Sequence, residues 1–163
     1  MLEDLDEFER KILAVVQRDS SKPTTEIANE VGLSQAPCWR RIQRLKEEGY
    51  IRAQVSILDR KKIGLNAQVF AQVKLNQHGR ANMTAFSDAI RELPEVLDCF
   101  VLMGNVDFML RIVTKDIEAY ERFFFDKLSQ LPGIQEVNSM VALSEIKSTT
   151  ELPLHIAFDM PSH

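Results

Sequence analysis

Cysteines and long apolar runs are scarce in this sequence, and each scarcity excludes a class of protein. The two cysteines, Cys38 and Cys99, stand far apart among 163 residues, so we expect free thiols rather than a disulfide framework. No run approaches the ~20 consecutive apolar residues of a membrane span, and the acidic amino terminus lacks the pattern of a signal peptide. We therefore expect a cytoplasmic protein that does not contact a membrane.

Signatures of catalysis and metal binding are also missing. The sequence contains no glycine-rich phosphate loop and no nucleophile elbow. Its three histidines, His78, His155 and His163, show no metal-ligand spacing. We therefore predict that the chain is not an enzyme and that it holds no metal and no cofactor.

Net positive charge is absent as well, which excludes a globally basic nucleic-acid-binding protein. The net charge is −4, and the first nine residues contain five acids. The segment from Arg40 to Lys46, in contrast, contains four bases and no acid. Any affinity for DNA must therefore come from a local patch, strengthened by pairing two copies of the chain.

The segment from Thr24 to Tyr50 predicts two short helices joined by a tight turn and followed by a glycine stop. The apolar residues of the first helix recur on one face, at Ile27, Ala28 and Val31. Thr24 or Thr25 can cap its start, and Gly32 can end it in the left-handed conformation that glycine adopts at low cost. A second helix after so short a turn is typical of the helix-turn-helix motif.

The second helix, predicted from Gln35 to about Glu48, has Ser34 as a favourable N-cap and a basic outer face. Its inner positions are Cys38 or Trp39, Ile42 and Leu45, and its bases are Arg40, Arg41, Arg44 and Lys46. Ala36 and Pro37 fall in the first turn, where a missing N–H costs nothing. A solvated cationic face would carry the same charges, but the position after a tight turn favours a helix that enters the major groove of double-stranded DNA.

A helix before this motif and a strand after it would complete a winged helix-turn-helix domain. The apolar spacing predicts a helix from Leu5 to Arg18, with Asp4 or Asp6 as its cap. The segment from Tyr50 to Leu58 has strand character, includes Arg52 and can form the wing.

The rest of the chain predicts strands and helices in the order β-α-β-β-α-β. The predicted strands are Ala67 to Leu75, Val96 to Met103, Phe108 to Thr114 and Ile134 to Ile146, and the predicted helices are Met83 to Leu93 and Glu118 to Leu131. This order is that of the α+β ferredoxin-like fold, a four-stranded antiparallel sheet with two helices on one face. The uncovered face needs a partner, for which we expect a second copy. The predicted domains are residues 1–60, a linker at 61–66, and residues 67–163 with a C-terminal tail.

Several motifs carry a resemblance to a known family. They are Leu5-Asp6-x-x-x-Arg10-x-Ile12-Leu13, Gly32-Leu33-Ser34-x-x-Pro37-Cys38-x-x-Arg41-x-x-Arg44-Leu45, Leu93-Pro94-Glu95-Val96, Gly104-x-x-Asp107-Phe108, Leu131-Pro132-Gly133-Ile134 and Glu145-Ile146-Lys147. With them the chain resembles the Lrp/AsnC (leucine-responsive regulatory protein, feast/famine) transcriptional regulators over nearly its whole length.

The resemblance implies a sequence-specific DNA-binding transcriptional regulator. Its second domain would dimerise, often assemble further to octamers, and bind a small effector, commonly an amino acid, between subunits. The DNA-binding residues predicted from the motif, the wing and the resemblance are Ser34, Gln35, Ala36, Pro37, Trp39, Arg40, Arg41, Gln43, Arg44 and Arg52. The effector-binding residues that the resemblance implies are Met103, Gly104, Asn105, Val106 and Asp107 in one loop, with Ser139 and Val141 on the last strand.

Two of these residues have a second interpretation. Asn105 stands where many family members carry an acid, which leaves Asp107 as the carboxylate for a ligand's ammonium group. Without the family, Asp107 fits equally well as a turn acceptor before a strand. Trp39 could reach a base or phosphate, or it could pack against the first helix.

Overall fold

The computed structural model describes residues 5–81 and 83–158, with only the backbone at positions 78 and 79. The described residues form two compact units: residues 5–56 with 147–158, and residues 57–146. The C-terminal segment, assigned to the second domain from the sequence, thus belongs to the first unit. It belongs there because it bonds to the first helix: Gln17 bonds to Leu152, and Arg18 bonds to Glu151.

Seven helices and four strands follow one another along the described chain. In order they are α1 (Glu7–Arg18), α2 (Thr24–Val31), α3 (Gln35–Glu47), β1 (Ala67–Leu75), α4 (Gln77–Ala81), α5 (Met83–Arg91), β2 (Val96–Val101), β3 (Phe108–Thr114), α6 (Ile117–Asp126), β4 (Ile134–Val141) and α7 (Leu154–Phe158). A 3₁₀ turn at Leu128–Gln130 follows α6. The short helices α4 and α7 have no counterpart among the predicted elements, because five residues are too few to show helical periodicity.

Helix α1 begins with a capping box. The Asp6 carboxylate accepts the Glu9 N–H at 2.8 Å, and the Glu9 carboxylate accepts the Asp6 N–H at 2.9 Å. Two N–H groups at the helix start are thereby satisfied reciprocally. Asp6 is therefore the cap, and the alternative Asp4 lies outside the described residues.

Helix α2 ends as predicted but begins differently from the prediction. Gly32 ends α2 in the left-handed conformation, with φ +79°. The N-cap of α2 is Pro23, so the prediction that Thr24 or Thr25 caps this helix was wrong. The ring of Pro23 fixes a φ of −65° at this position, and both threonines lie inside the helix. Ser34 occupies the N-cap position of α3, without a capping bond from its side chain.

The core of the first unit decides between the two candidate inner residues of α3. Cys38 is fully buried, whereas Trp39 is 54% exposed. The other buried apolar side chains are Leu5, Ile12, Val15, Val16, Ile27, Ala28, Val31, Ile42 and Leu45. Trp39 therefore does not pack in this core, and it points outward from α3.

The predicted wing strand does not form. Residues 52–59 carry no strand, and Val55, Ile57 and Leu58 are between 68% and 74% exposed. A strand needs a neighbour to complete its hydrogen-bond ladder, and the described residues of the first unit offer none. The alternation of apolar residues was therefore a wrong signal of a strand.

The second unit is the predicted four-stranded sheet. Its strand order is β2-β3-β1-β4, and all three neighbouring pairs are antiparallel. One face of β1 carries Val69, Ala71, Val73 and Leu75, which pack with residues of α5 and α6. Phe86 of α5 is fully buried there, with its ring centroid 4.5 Å from that of Phe108. The ferredoxin-like topology is confirmed.

Strand β4 ends earlier than predicted, at Val141 rather than Ile146. Among the described residues its neighbour is β1 alone, which begins at Ala67. The last backbone bond described at this end joins the Ala142 N–H to the Gln68 carbonyl. Beyond it the chain has no ladder to join, and Leu143 and Ile146 are more than 90% exposed.

Candidate DNA-binding and effector sites

The outward face of α3 presents Ala36, Trp39, Arg40 and Gln43. These positions lie three or four residues apart, so their side chains share one face of the helix. Arg40 is exposed and forms no hydrogen bond or ion pair within the described part of the chain. This face thus combines an available guanidinium, an indole and an amide, which are groups that can read base edges or contact phosphates.

Arg41 and Arg44 face α1 instead. The Arg41 guanidinium binds the Asp6 carboxylate, with Nη2 and Oδ2 at 2.8 Å, and lies over the Phe8 ring. Burial alone would raise the pKa of Asp6, but hydrogen bonds from Arg41 and the Glu9 N–H hold it below its ordinary value. Arg41 is therefore committed to holding α1 against α3.

Arg44 is bound at two points. Its Nη1 lies 2.7 Å from Glu9 Oε1 and its Nε lies 2.8 Å from Glu48 Oε1. Hydrogen bonds to Glu48 and Glu9 raise the pKa of Arg44 further above its ordinary range. The Glu9 side chain is only 2% exposed, and a buried carboxylate requires such a partner. Sequence analysis missed this pairing, although the acids and the arginines share a spacing of three residues, Asp6 with Glu9 and Arg41 with Arg44.

The remaining predicted DNA-binding residues flank the outward face. Ser34 and Gln35 are exposed at the start of α3, and Pro37 is half-buried in its first turn. Arg52 is exposed in the irregular chain that follows the helix. These groups lie at the two ends of α3, where contacts to a DNA backbone are expected.

The loop from Met103 to Asp107 connects β2 to β3 and is held at one end by Asp107. The Asp107 N–H bonds to the Val73 carbonyl, and its Oδ2 accepts the Leu75 N–H at 2.7 Å. Arg80 Nε lies 3.2 Å from Asp107 Oδ1. This side-chain bond joins Asp107 to the neighbouring strand β1 rather than to the backbone of its own turn, and the carboxylate also lies beside a guanidinium.

The middle of this loop is open. The N–H groups of Gly104, Asn105 and Val106 donate to no acceptor within residues 5–81 and 83–158. Met103 is fully exposed, and a Cβ placed on Gly104 would meet no atom within 4 Å. Three available N–H groups in sequence can bind an anion such as a carboxylate.

Ser139 and Val141 do not reach the loop in the single chain. Ser139 lies level with Ala71 and bonds to the Tyr120 hydroxyl at 2.5 Å; burial raises the pKa of Tyr120, against the effect of this bond. Val141 pairs with Val69 of β1, whereas the loop bonds to Val73 of the same strand. These two positions on β1 are four residues apart, or about 13 Å at 3.3 Å per residue. The structure therefore does not bring these two residues together with the loop.

The sheet face opposite α5 and α6, which the sequence predicted to be uncovered, carries a group of apolar side chains. Direct cross-strand register places Phe100 beside Met109, and Phe70 beside Met140. An ion pair between Asp98 and Arg111 lies among them. Phe100 and Met140 are 58% and 40% exposed. We call this group the open face. On β1 its sequence signal was the set of positions between the buried ones, which includes Phe70.

The described residues contain neither a cluster of metal ligands nor a membrane-spanning helix. No group of three or more His, Cys, Asp or Glu side chains is arranged to hold a metal ion. No helix in this part of the chain has the length and apolar character needed to cross a membrane.

Known families match both units. Residues 5–52 match the family described as winged helix-turn-helix DNA-binding, and residues 68–152 match the Lrp/AsnC ligand binding domain. The first match confirms the class of the amino-terminal domain, although residues 52–59 form no strand.

Individual relatives are similar to this chain over nearly its whole length. The DNA-binding transcriptional activator DecR of Escherichia coli (strain K12) is 34% identical over 150 residues, which cover 92% of this chain and 99% of DecR. The transcriptional regulator AzlB of Bacillus subtilis (strain 168) is 35% identical, with 92% of this chain and 96% of AzlB covered. Both are named as regulators, not as enzymes.

Solved structures give the same result. A transcriptional regulator of Neisseria meningitidis, crystallised as an L-Met complex, is 35% identical and superposes with a TM-score of 0.89 over 94% of this chain and 99% of its own. An AsnC family transcriptional regulator of Agrobacterium tumefaciens is 39% identical, with a TM-score of 0.88 over 93% and 99% of the two chains. With both units matched and the helix-turn-helix in place, this chain belongs to the Lrp/AsnC family of DNA-binding transcriptional regulators.

Proposed function

We propose that this regulator reads its operator with the outward face of α3, and that an amino acid bound between subunits controls this activity. The observation that carries the first part is the division of the arginines. Arg40 is available on the outward face, whereas Arg41 and Arg44 are bound to Asp6 and Glu9. Arg40, Trp39 and Gln43 are then the candidates for base contacts, with Ser34, Gln35 and Arg52 as candidates for the backbone of the DNA.

Arg40→Ala is expected to weaken operator binding about tenfold, within the range for loss of a specific contact. If Arg40 contacts a phosphate, the salt dependence of binding should also fall by about one unit of slope. Titration of labelled operator DNA at several salt concentrations measures both quantities. Lys11→Ala is the matched control, because it removes one exposed positive charge from α1 of the same unit. Equal binding by the two variants would remove Arg40 from the site.

The effector proposal rests on the loop from Met103 to Asp107. Its free N–H groups can receive a carboxylate, while the carboxylate of Asp107 can receive an ammonium group. A zwitterionic amino acid presents both groups a short distance apart. The L-Met complex of the Neisseria meningitidis regulator supports an amino acid as the class of ligand. Since Ser139 and Val141 lie away from the loop in one chain, we propose that they reach the ligand from another subunit.

Asp107→Asn tests the loop more sharply than Asp107→Ala, because asparagine keeps an acceptor for the Leu75 N–H and removes only the charge. A thermal-shift screen of the wild-type protein against the twenty amino acids identifies the effector first. A hundredfold excess over the dissociation constant should stabilise the protein by about 2.7 kcal/mol. Calorimetry should then show at least a roughly tenfold loss of affinity in Asp107→Asn, as expected for a lost charge-assisted bond.

Asp88→Asn is the control for this experiment, because Asp88 is an exposed acid of the same unit that pairs with Arg91. It should bind the effector like the wild type. An undiminished heat of binding in Asp107→Asn would place the effector site elsewhere.

We also propose that the second unit forms a dimer through the open face. The family resemblance implies that such dimers assemble further into octamers. A dimer would set two α3 helices against two half-sites about one DNA turn, roughly 34 Å, apart. Binding of an effector between subunits can change DNA affinity only if it favours one assembly over another.

A further inference from the structure

The C-terminal segment, residues 147–158, is bound to the side of α1 that carries Gln17. The Gln17 side-chain amide donates to the Leu152 carbonyl at 3.1 Å, and its carbonyl oxygen accepts the Leu152 N–H at 3.0 Å. This two-point bond satisfies both backbone groups of one residue, as a neighbouring strand would. It fixes the position of the segment along α1.

Two further contacts extend this attachment. Arg18 Nε lies 2.7 Å from Glu151 Oε1. At the other end, the guanidinium of Arg10 lies 5.2 Å from the centroid of the Phe158 ring, and Phe158 packs against the core of the first unit. The contacts span Arg10 to Arg18, about 12 Å of helix at 1.5 Å per residue. An incidental contact of a loose tail would not engage more than two turns of one helix.

A different set of α1 side chains carries the contacts to α3. Asp6 and Glu9 bind Arg41 and Arg44 of that helix. Helix α1 is therefore held by α3 through one set of side chains and by the C-terminal segment through another. The segment begins six residues after the end of β4, so the chain returns from the sheet to the DNA-binding unit.

We infer that the C-terminal segment is a strap, bound in the same chain, that holds α1 and through it α3 in the arrangement that binds DNA. Release of the strap would leave α1 held by its contacts to α2 and α3 alone and would loosen its position. The strap also gives the sheet a second covalent connection to the DNA-binding unit, in addition to the chain between α3 and β1.

A charge-swap cycle in the full-length protein tests the contact. In Arg18→Glu and in Glu151→Arg, like charges replace the ion pair, and hydrogen exchange in α7 should accelerate roughly fivefold, which corresponds to the upper range for an exposed pair. The double variant restores opposite charges and should restore protection. Gln17→Ala, which removes the two-point bond, should accelerate exchange about tenfold. Unchanged exchange in all of these variants would overturn the strap.

Mixing the two single variants distinguishes attachment within one chain from exchange between copies. If the strap binds its own chain, co-refolded Arg18→Glu and Glu151→Arg proteins stay as unprotected as either variant alone. If copies exchange their C-terminal segments, both contacts in every mixed dimer regain opposite charges. Protection then returns in part, because about half of the dimers formed at random are mixed. Partial recovery would overturn our assignment to the same chain.

The effect on DNA rests on the proposed function and has its own control. Lys11→Glu changes the charge of α1 by the same amount as Arg18→Glu, but Lys11 pairs with Glu7 of the same helix. We expect operator affinity to fall several-fold more in Arg18→Glu than in Lys11→Glu and to recover in the Arg18→Glu/Glu151→Arg double variant. Equal affinities in the two variants, with Arg40→Ala still defective, would overturn the role of the strap in DNA binding and leave the proposed reading helix intact.

Discussion

Replacing Glu9 with alanine is expected to destabilise the DNA-binding unit by about 2–3 kcal/mol. The change removes the acceptor of the Asp6 N–H, a helix-capping bond that contributes about 1 kcal/mol. It also removes the bond from Arg44, in the range of about 1.5–3 kcal/mol for a charged partner; since the Arg44 side chain is 41% exposed, rehydration reduces that share. In a unit of this size the midpoint of thermal unfolding should fall by about 10–20 °C.

Two variants isolate the cause of this effect. Glu9→Gln keeps a neutral acceptor for the Asp6 N–H and should lose only part of the stability. Glu7→Ala removes an acid from the same helical turn, but the Glu7 side chain is 75% exposed, and its loss should change the midpoint little. Calorimetric unfolding of the three variants measures these differences. Equal midpoints for Glu9→Ala and Glu7→Ala would show that the buried ion pair does not hold α1 against α3.

Met140→Asp is expected to dissociate the dimer that we propose and thereby to weaken operator binding about a hundredfold or more. Met140 lies on the open face beside Phe70, so an interface formed there would bury the new carboxylate without a partner. Two DNA-binding units held together bind two half-sites with an effective concentration that separate units lack, which accounts for a factor of about 10²–10⁴. Analytical ultracentrifugation measures the separation, and a titration of operator DNA measures the affinity.

Ile117→Asp is the matched control for this prediction. Ile117 is similarly exposed, at 47%, but it lies on α6, which covers the opposite face of the sheet. This variant should remain dimeric and should bind DNA with near wild-type affinity. If Met140→Asp sediments like the wild-type protein, the open face is not the dimer interface.

Local signals in the sequence predicted the helices and the sheet well. The spacing of Ile27, Ala28 and Val31 predicted one face of α2, and Gly32 predicted its end, because both depend on neighbours in the sequence. The repeated helix, Leu-Pro and strand pattern around Leu93 and Leu131 predicted the order of the second unit. These features need no knowledge of distant contacts.

Features that depend on distant partners could not be predicted in this way. The alternation at Tyr50 to Leu58 has no neighbouring strand among the described residues, so no strand formed there. The alternation at Leu143 to Ile146 continues past the end of the pairing with β1, so β4 stops before it. The sequence alone does not distinguish the three arginines of α3, because all carry the same charge and all are expected to be exposed to solvent. Only the packing of α1 beside α3 shows that Arg41 and Arg44 meet acids and that Arg40 does not. The attachment of Gln17 to Leu152 joins residues 135 positions apart and leaves no periodic signal.

The division of labour on α3 has a consequence for how operator preference can change. The side chains that maintain the fold occupy one side of the helix: Cys38, Arg41, Ile42, Arg44 and Leu45. Those that we propose contact DNA occupy the other: Ala36, Trp39, Arg40 and Gln43. Because the two sets share no partner, mutations in the second set can accumulate with little loss of stability. Duplicated copies of such a gene can thus diverge toward new operators through a few substitutions, and a designer can retarget the protein by randomising these four positions.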